Sequence, residues 1–310
     1  MHRRRVLGMI GSSALLGCVS AGASVTDDVP PAPASRRRLE VGGAILEVRS
    51  TGVEQLPMPM LATWVGDAAT MIAAYYGGGL PVPGLEITLV AAAGSRVGFG
   101  QHQDGRWIRV RYGRRATAET FVDDWVMVHE MLHATFPGLP EGHRWMQEGL
   151  STYLEPIVRA RAGATTEAEV WRRWTASMQH GRPSAGDRGL DHTHSWGRTY
   201  WGGTLFWLMV DVRLREATAG ARSIRDVVTQ IAARGGNGRV EWTTAQVIDE
   251  ADRATGTTVM AQSYAELALA PGDVDLDALW HRLGVHRAGD HVRLDDDAPQ
   301  AELRRAITRS

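Results

Sequence analysis

Two histidines stand four residues apart with a glutamate between them, as His129, Glu130 and His133 in "HEMLH". Positions i and i+4 of a helix share one face, so both imidazoles can bind one metal ion, and Glu130 flanks that pair. This H-E-x-x-H spacing offers two nitrogen ligands for zinc and a carboxylate that can accept a proton from metal-bound water. It predicts His129 and His133 as zinc ligands and Glu130 as a general base.

A third ligand is expected, because a catalytic zinc ion has three protein ligands and one open position. Glu148 lies 15 residues after His133, in "WMQEGLSTYLE" (145–155), and the intervening loop is rich in proline and glycine. Such a loop lets a second helix turn back and bring Glu148 to the first. Gly149 would allow the two to pack closely around an ion.

These two stretches together resemble the gluzincin metallopeptidases, especially the aminopeptidase N-like and glycyl aminopeptidase-like branches. The resemblance covers about residues 95–216. It implies His129, His133 and Glu148 as the ligands of one Zn²⁺ ion, with Glu130 as the general base. It also implies a peptide or protein substrate.

A third segment, "RTYWGGTLFWLMVDVRLRE" (198–216), resembles the helix that carries Y-x-K-G in these families. Tyr200 and Gly203 match that pattern, whereas Gly202 replaces the lysine. The resemblance implies that Tyr200 donates a hydrogen bond to the tetrahedral intermediate.

The aminopeptidases of this group also carry a G-x-M-E-N strand, whose glutamate holds the free amino group of the substrate. The corresponding region here, "VGFGQHQDGRWIRVRY" (97–112), has no glutamate, and its Asp104 falls in a predicted turn. An endopeptidase-like or otherwise undefined peptide hydrolase is therefore favoured over a dedicated aminopeptidase. By analogy with the family, the strand at 106–112 is expected to be the sheet edge that pairs with an extended peptide.

Other polar residues near the motifs have less specific interpretations. His102, Glu141 and His143 are expected in solvated loops. His192 and His194 precede Tyr200, and they are candidates for the cleft or, with a further ligand, for a second metal.

Several remaining residues are expected to be structural. Glu155 would form a surface salt bridge or orient a ligand histidine, and Asp211 would support the fold. Three tryptophans are expected in the core: Trp196, Trp201 and Trp207.

The amino terminus predicts export. A basic segment precedes an apolar run, Val6 to Leu16, that is too short to span a bilayer permanently, and the run ends in "LLGC" at Cys18. "LLGC" resembles a bacterial lipobox, which implies membrane anchoring through a lipid on Cys18 in the cell envelope. The alternative is an ordinary signal peptide with an incidental cysteine.

Composition excludes several other chemistries. The 310 residues are 44% hydrophobic, with a net charge of −1, which argues against a nucleic-acid partner. The chain contains no lysine, so a lysine Schiff base or a P-loop lysine is impossible.

Strand patterns come first and helical patterns later, which predicts an α+β fold with a cleft between two lobes. With the family resemblance, we expect a thermolysin-like metallopeptidase domain: a mixed sheet with the active-site helix, then a mostly helical lobe. The predicted divisions are a signal peptide (1–18), a tether (19–38), an α/β lobe (39–160) and a helical lobe (161–310).

Two alternatives to a zinc metallopeptidase remain open from the residues alone. One is a non-catalytic envelope lipoprotein that uses the same fold as a scaffold or binding module. The other is a different hydrolytic reaction at the same zinc ion, because related folds host non-peptide chemistry.

Overall fold

The fold begins with a β-hairpin. In the computed structural model, which describes residues 35–309, β1 (Ser35–Val41) pairs antiparallel with β2 (Ala44–Thr51). Gly42 and Gly43 join them with φ values of 55° and 77°. A two-residue hairpin turn of this hand requires positive φ at both central positions, which explains the Gly-Gly pair.

The predicted signal peptide and Cys18 lie outside the described residues, as does the predicted tether up to residue 34. Residues 35–38, which the sequence assigns to the tether, belong to β1. Between residues 35 and 309, no helix is both long enough and apolar enough to cross a membrane.

A five-stranded mixed sheet is formed by strands between residues 35 and 113. Its order is β1-β2-β3-β5-β4, with β3 at Gly84–Ala92, β4 at Val97–Gln103 and β5 at Trp107–Gly113. The central strands β2, β3 and β5 are parallel, and β4 returns antiparallel along the outer side of β5. The prediction that the strand at 106–112, which is β5, forms the sheet edge is therefore wrong. Both sides of β5 are hydrogen-bonded, and β4 is the edge beside the cleft.

Helices make up most of the remaining chain. α1 (Met58–Tyr75) connects β2 to β3 and packs against the sheet. The later helices are α2 (Ala118–Val122), α3 (Val126–Ala134), α4 (Arg144–Arg161), α5 (Glu167–Ser177), α6 (Gly203–Ala217), α7 (Ile224–Ala233), α8 (Thr244–Thr255), α9 (Val259–Leu267), α10 (Leu276–Leu283) and α11 (Ala301–Thr308). A small hairpin, β6 (Val285–Ala288) and β7 (His291–Leu294), precedes α11. The α+β class predicted from the sequence is confirmed, and the predicted boundary after residue 160 falls inside α4.

The sequence pattern of about residues 117–135 predicts a single helix, but the structure has two helices here, α2 and α3. Asp124 lies in the break, where its carboxylate accepts hydrogen bonds from the backbone N–H groups of Val126 and Met127, each at 3.0 Å. The Trp64 indole donates to the same carboxylate, also at 3.0 Å. Asp124 thus satisfies the free donors that begin α3 and fixes its start against α1.

All nine residues of α3 are buried, so this helix is enclosed on every side. It packs against α1, α4, β4 and β5. Its polar residues His129, Glu130 and His133 are therefore held at the wall of an internal cleft, and the surrounding sheet and helices determine which groups meet them.

Candidate metal centre and cleft

His129, His133 and Glu148 converge on one point. The Nε2 atoms of the two histidines are 3.2 Å apart. Glu148 Oε2 lies 3.4 Å from His129 Nε2 and 3.3 Å from His133 Nε2. All three residues are buried. Two histidines one helical turn apart and a carboxylate from the next helix therefore meet as the sequence predicts.

The spacing of these atoms fits a tetrahedral zinc ion. Zinc lies about 2.1 Å from nitrogen and oxygen ligands, so two ligand atoms of a regular tetrahedron are about 3.4 Å apart. The three observed separations, 3.2, 3.3 and 3.4 Å, match three such edges. A nitrogen, nitrogen and oxygen donor set with the fourth corner free is the composition of a catalytic zinc site.

The protonation states also suit a metal. Burial lowers the pKa of His133 to about 4, although a hydrogen bond to Glu148 opposes this shift. For Glu148, burial acts to raise the pKa, but hydrogen bonds from His129 and His133 outweigh it and hold the pKa well below its ordinary value. A neutral imidazole and an ionised carboxylate are the forms that bind a metal ion.

α4 and α6 cross at two glycines, directly beside Glu148. A Cβ atom on Gly149 would lie 2.3 Å from the carbonyl carbon of Gly203, and one on Gly203 would lie 2.2 Å from the carbonyl oxygen of Trp145. The backbones therefore touch at this point. Trp207 Nε1 also donates to the carbonyl of Met146 at 2.8 Å, which fixes α6 against the start of α4.

Glu130 lies against the edge strand β4. A Cβ atom on Gly100 would be 2.3 Å from Glu130 Cγ and 2.7 Å from its Oε1, so only glycine fits beside this side chain. Two residues further along β4, His102 Nδ1 lies 3.3 Å from Glu130 Oε2. The strand thus both makes room for the general-base candidate and gives it a polar partner.

His102 is not in a solvated loop, contrary to the sequence prediction. It lies on β4, where its ring stacks on His133 with centroids 3.8 Å apart and planes inclined by 17°. The Nδ1 atoms of His129 and His133 are buried without a hydrogen-bond partner among the described residues. Stacking by His102 therefore helps hold the His133 ring. A single sequence offers no signal for this contact, because it depends on which strand forms the sheet edge.

Tyr200 lines the same cleft, on a turn of π-helix at Arg198–Gly202 that leads into α6. Such turns are frequent at functional sites. Burial raises the pKa of the Tyr200 phenol, and the charge of Glu148 acts in the same direction against that of Arg144. Its hydroxyl is therefore protonated at neutral pH and can donate a hydrogen bond.

Arg144 is a cleft residue that the sequence prediction missed. Its Nε and Nη2 atoms donate to Glu148 Oε1 at 3.2 and 3.1 Å, while Oε2 of the same carboxylate faces the histidines. Arg144 therefore orients the carboxylate that approaches the imidazoles. It stands one helical turn before Glu148, a spacing visible in the sequence but common on exposed helices.

Other predicted residues lie elsewhere. His192 and His194 are exposed, and neither lines the cleft. Glu141 is exposed as expected, but His143 is partly buried beside Asp191, with its Nε2 3.4 Å from Asp191 Oδ2.

Two structural expectations have different outcomes. Asp211 is buried and accepts hydrogen bonds from Tyr153 and Arg215, which confirms its supporting role. Glu155 is fully buried and forms no surface salt bridge. Of the three tryptophans, Trp201 and Trp207 are core residues, whereas Trp196 is 65% exposed and lines the cleft.

The cleft has a volume of about 560 Å³. Its wall contains the candidate metal-ligand group, which consists of His129, His133 and Glu148. Glu130, β4 and Tyr200 line the same wall. Trp125 and Arg173 lie in the same wall. Among the residues that the structure describes, the carboxylates lining this cleft are those of Glu130 and Glu148.

The fold is similar to solved metallopeptidase structures at low sequence identity. An aminopeptidase N family protein from Idiomarina loihiensis matches 82% of this chain and 49% of its own, with a TM-score of 0.65 and 12% identity. An M1 zinc metallopeptidase from Deinococcus radiodurans matches 75% of this chain and 51% of its own, with a TM-score of 0.47 and 14% identity. A mutant of that enzyme gives a TM-score of 0.48 and 13% identity over 75% of this chain and 52% of its own.

No protein-family profile and no curated protein sequence matches this chain. The chain spans about half the length of the solved structures that it resembles. The described residues form an α+β fold with a five-stranded sheet and many helices. The match to the Idiomarina loihiensis structure shows that this fold is similar to that of an aminopeptidase N family protein.

Proposed function

We propose that this protein is a zinc-dependent metallopeptidase. His129, His133 and Glu148 would hold one zinc ion, and Glu130 would be the general base. The observation that carries the proposal is the arrangement of three ligand atoms at tetrahedral spacings of 3.2 to 3.4 Å, in the wall of a cleft that also contains Glu130.

The roles of the side chains follow from their positions. When bound, zinc would polarise the scissile carbonyl and lower the pKa of a coordinated water molecule. Glu130 lies on α3 with its carboxylate against β4. It would accept a proton from the attacking water and then pass it to the leaving amine. The protonated Tyr200 hydroxyl donates a hydrogen bond to the carbonyl oxygen as negative charge develops there.

The edge strand supports binding of an extended peptide. β4 has a free side beside the cleft, and a substrate backbone can add to such an edge by main-chain hydrogen bonds. The carboxylates of Glu130 and Glu148 are assigned to proton transfer and to metal binding. An aminopeptidase of the related families uses a further glutamate to hold the free amino group of its substrate. Because the described residues that line the cleft include no further carboxylate, we propose cleavage of internal peptide bonds.

The non-catalytic alternative leaves Glu130 unexplained. A scaffold has no use for a buried glutamate kept beside the two histidines by a glycine on the neighbouring strand. Export and lipid attachment at Cys18 remain predictions from the amino-terminal sequence.

The test combines metal analysis with peptide cleavage. Purified protein should contain one zinc ion per chain and should cleave casein and amino-terminally acetylated peptides. Chelation should abolish cleavage and added zinc should restore it. Glu130→Gln should retain the zinc ion and lose at least about 10²-fold in kcat, the usual contribution of a general base.

Glu141→Gln is a suitable control, because Glu141 is exposed and lies outside the cleft. Hydrolysis by Glu130→Gln at the wild-type rate would remove this residue from its role. A protein that binds no zinc would refute the proposal as a whole.

A further inference from the structure

One end of the cleft contains an arginine that the hydrolytic step does not require. Arg173, on α5, lines the cleft, and 26% of its side chain is exposed. Its guanidinium carbon lies 5.1 Å from the centroid of the Trp125 ring, within cation–π range. Trp125 in turn contacts the His129 ring edge to face, with centroids 5.6 Å apart. The arginine is thus held next to the metal-ligand group by an aromatic side chain.

Arg173 shares a buried ion-pair partner with a second arginine. Glu155 is fully buried, and its two oxygen atoms accept hydrogen bonds from different arginines, Arg159 at 3.2 Å and Arg173 at 2.6 Å. One carboxylate therefore serves two guanidinium groups. Only 10% of the Arg159 side chain is exposed, and it also donates to the carbonyl of Val122. Arg159 is enclosed and also lies near the Asp124 carboxylate, so Arg173 is the member of the pair that faces the cleft.

The distance from the metal-ligand group is that of a few peptide residues. Glu148 and Glu155 are seven residues apart on α4, which is about 10 Å along the helix axis. Thr152, one turn after Glu148, lines the cleft between them. An extended peptide advances about 3.3 Å per residue, so the same distance spans about three substrate residues.

We propose that Arg173 and Trp125 form a carboxylate-binding subsite. The subsite selects peptides that carry a carboxylate about three residues from the scissile bond, either on an acidic side chain or at the carboxyl terminus. Arg173 retains N–H donors beyond the one directed at Glu155, and the Trp125 face keeps the guanidinium in place. This substrate preference rests on the proposed peptidase function, whereas binding of the carboxylate does not.

The test measures binding and cleavage separately. Acetylated and amidated peptides carrying either Glu or Gln at each position would be titrated against zinc-loaded Glu130→Gln protein by fluorescence anisotropy. The same peptides would then be digested with the active enzyme. We expect about tenfold tighter binding and tenfold higher kcat/KM for Glu at one position, the usual effect of a charge-assisted hydrogen bond. Peptides with a free carboxyl terminus distinguish a terminal carboxylate from a side chain.

Arg173→Gln should abolish the preference for Glu, and Arg173→Lys should retain part of it. Arg172→Gln is the matched control, because the neighbouring Arg172 pairs with Glu169 and does not line the cleft. Circular dichroism melting checks that each variant is folded. A Glu preference that survives in Arg173→Gln, or is absent from the wild type, overturns the subsite. Binding with a Glu preference but no cleavage of any peptide supports the subsite and refutes the peptidase.

Discussion

Replacing Gly100 with alanine should disable the proposed general base, Glu130, without changing that side chain itself. The added Cβ atom would lie 2.3 Å from Glu130 Cγ and 2.7 Å from Glu130 Cδ, whereas an ordinary contact is 3.4 Å or more. The Glu130 side chain must therefore move by about 1 Å. Because a misplacement of about 1 Å can cost about 10²-fold in rate, kcat should fall by that factor.

The assay is steady-state cleavage of an acetylated peptide, together with zinc content and melting temperature. Gly100→Ala should bind as much zinc as the wild type, because the proposed ligand atoms lie on α3 and α4. Gly98→Ala is the matched control on the same strand. Its Cβ atom would meet Arg111 Cβ at 3.4 Å, an ordinary contact, so its activity should remain near that of the wild type.

A double variant separates displacement of Glu130 from general damage to the strand. In the Glu130→Gln background, Gly100→Ala should lower kcat much less than it does in the wild type, because the base is already absent. A Gly100→Ala enzyme with wild-type kcat would refute the reasoning. So would an equal loss in both backgrounds, since the strand would then act on something other than Glu130.

Two further predictions concern individual side chains. Tyr200→Phe should retain zinc and KM but lose about 10²-fold in kcat, because a hydrogen bond to the developing oxyanion is lost; unchanged kcat excludes Tyr200 from that role. The free energy of unfolding of the metal-free protein should fall as the pH is lowered from about 6.5 to about 4. In this range His133 takes up a proton in the unfolded chain, whereas in the folded protein burial lowers its pKa to about 4 and keeps the side chain neutral. Burial is nearly complete, so the loss approaches about 3 kcal/mol in urea unfolding. His133→Asn should flatten this pH dependence, and an unchanged slope would contradict the assignment.

Much of the fold could be predicted because the signals were local. In residues 39–50, strand-like alternation around Gly42 and Gly43 predicts the first hairpin, and helical periodicity predicts the later helices, each within a short window. The one helix predicted incorrectly, at about 117–135, is divided by Asp124, whose carboxylate binds both the following backbone and Trp64. The second of these contacts joins residues 60 positions apart, so the helix pattern alone could not reveal the break.

The edge of the sheet was the main error, and His102 was misplaced with it. The prediction put the edge at β5, whereas the chain folds β4 outside it. Strand order depends on which pairs of strands bury the most surface, and periodicity within a strand does not encode it. With β4 at the edge, Gly100 and His102 come to lie against Glu130, although the sequence prediction gave Gly100 no role and placed His102 in a solvated loop.

The sequence by itself determined the pairing of His129 with His133, because helical hydrogen bonds repeat every few residues and place i and i+4 on one face. It also placed a glutamate and a glycine at the start of the next helix. Only the tertiary structure decided that Glu148 reaches those histidines, that His102 stacks on His133, and that Arg173 enters the same cleft. Each of these contacts joins separate elements of the fold, so it depends on how helices and strands pack together and not on the spacing within any one of them.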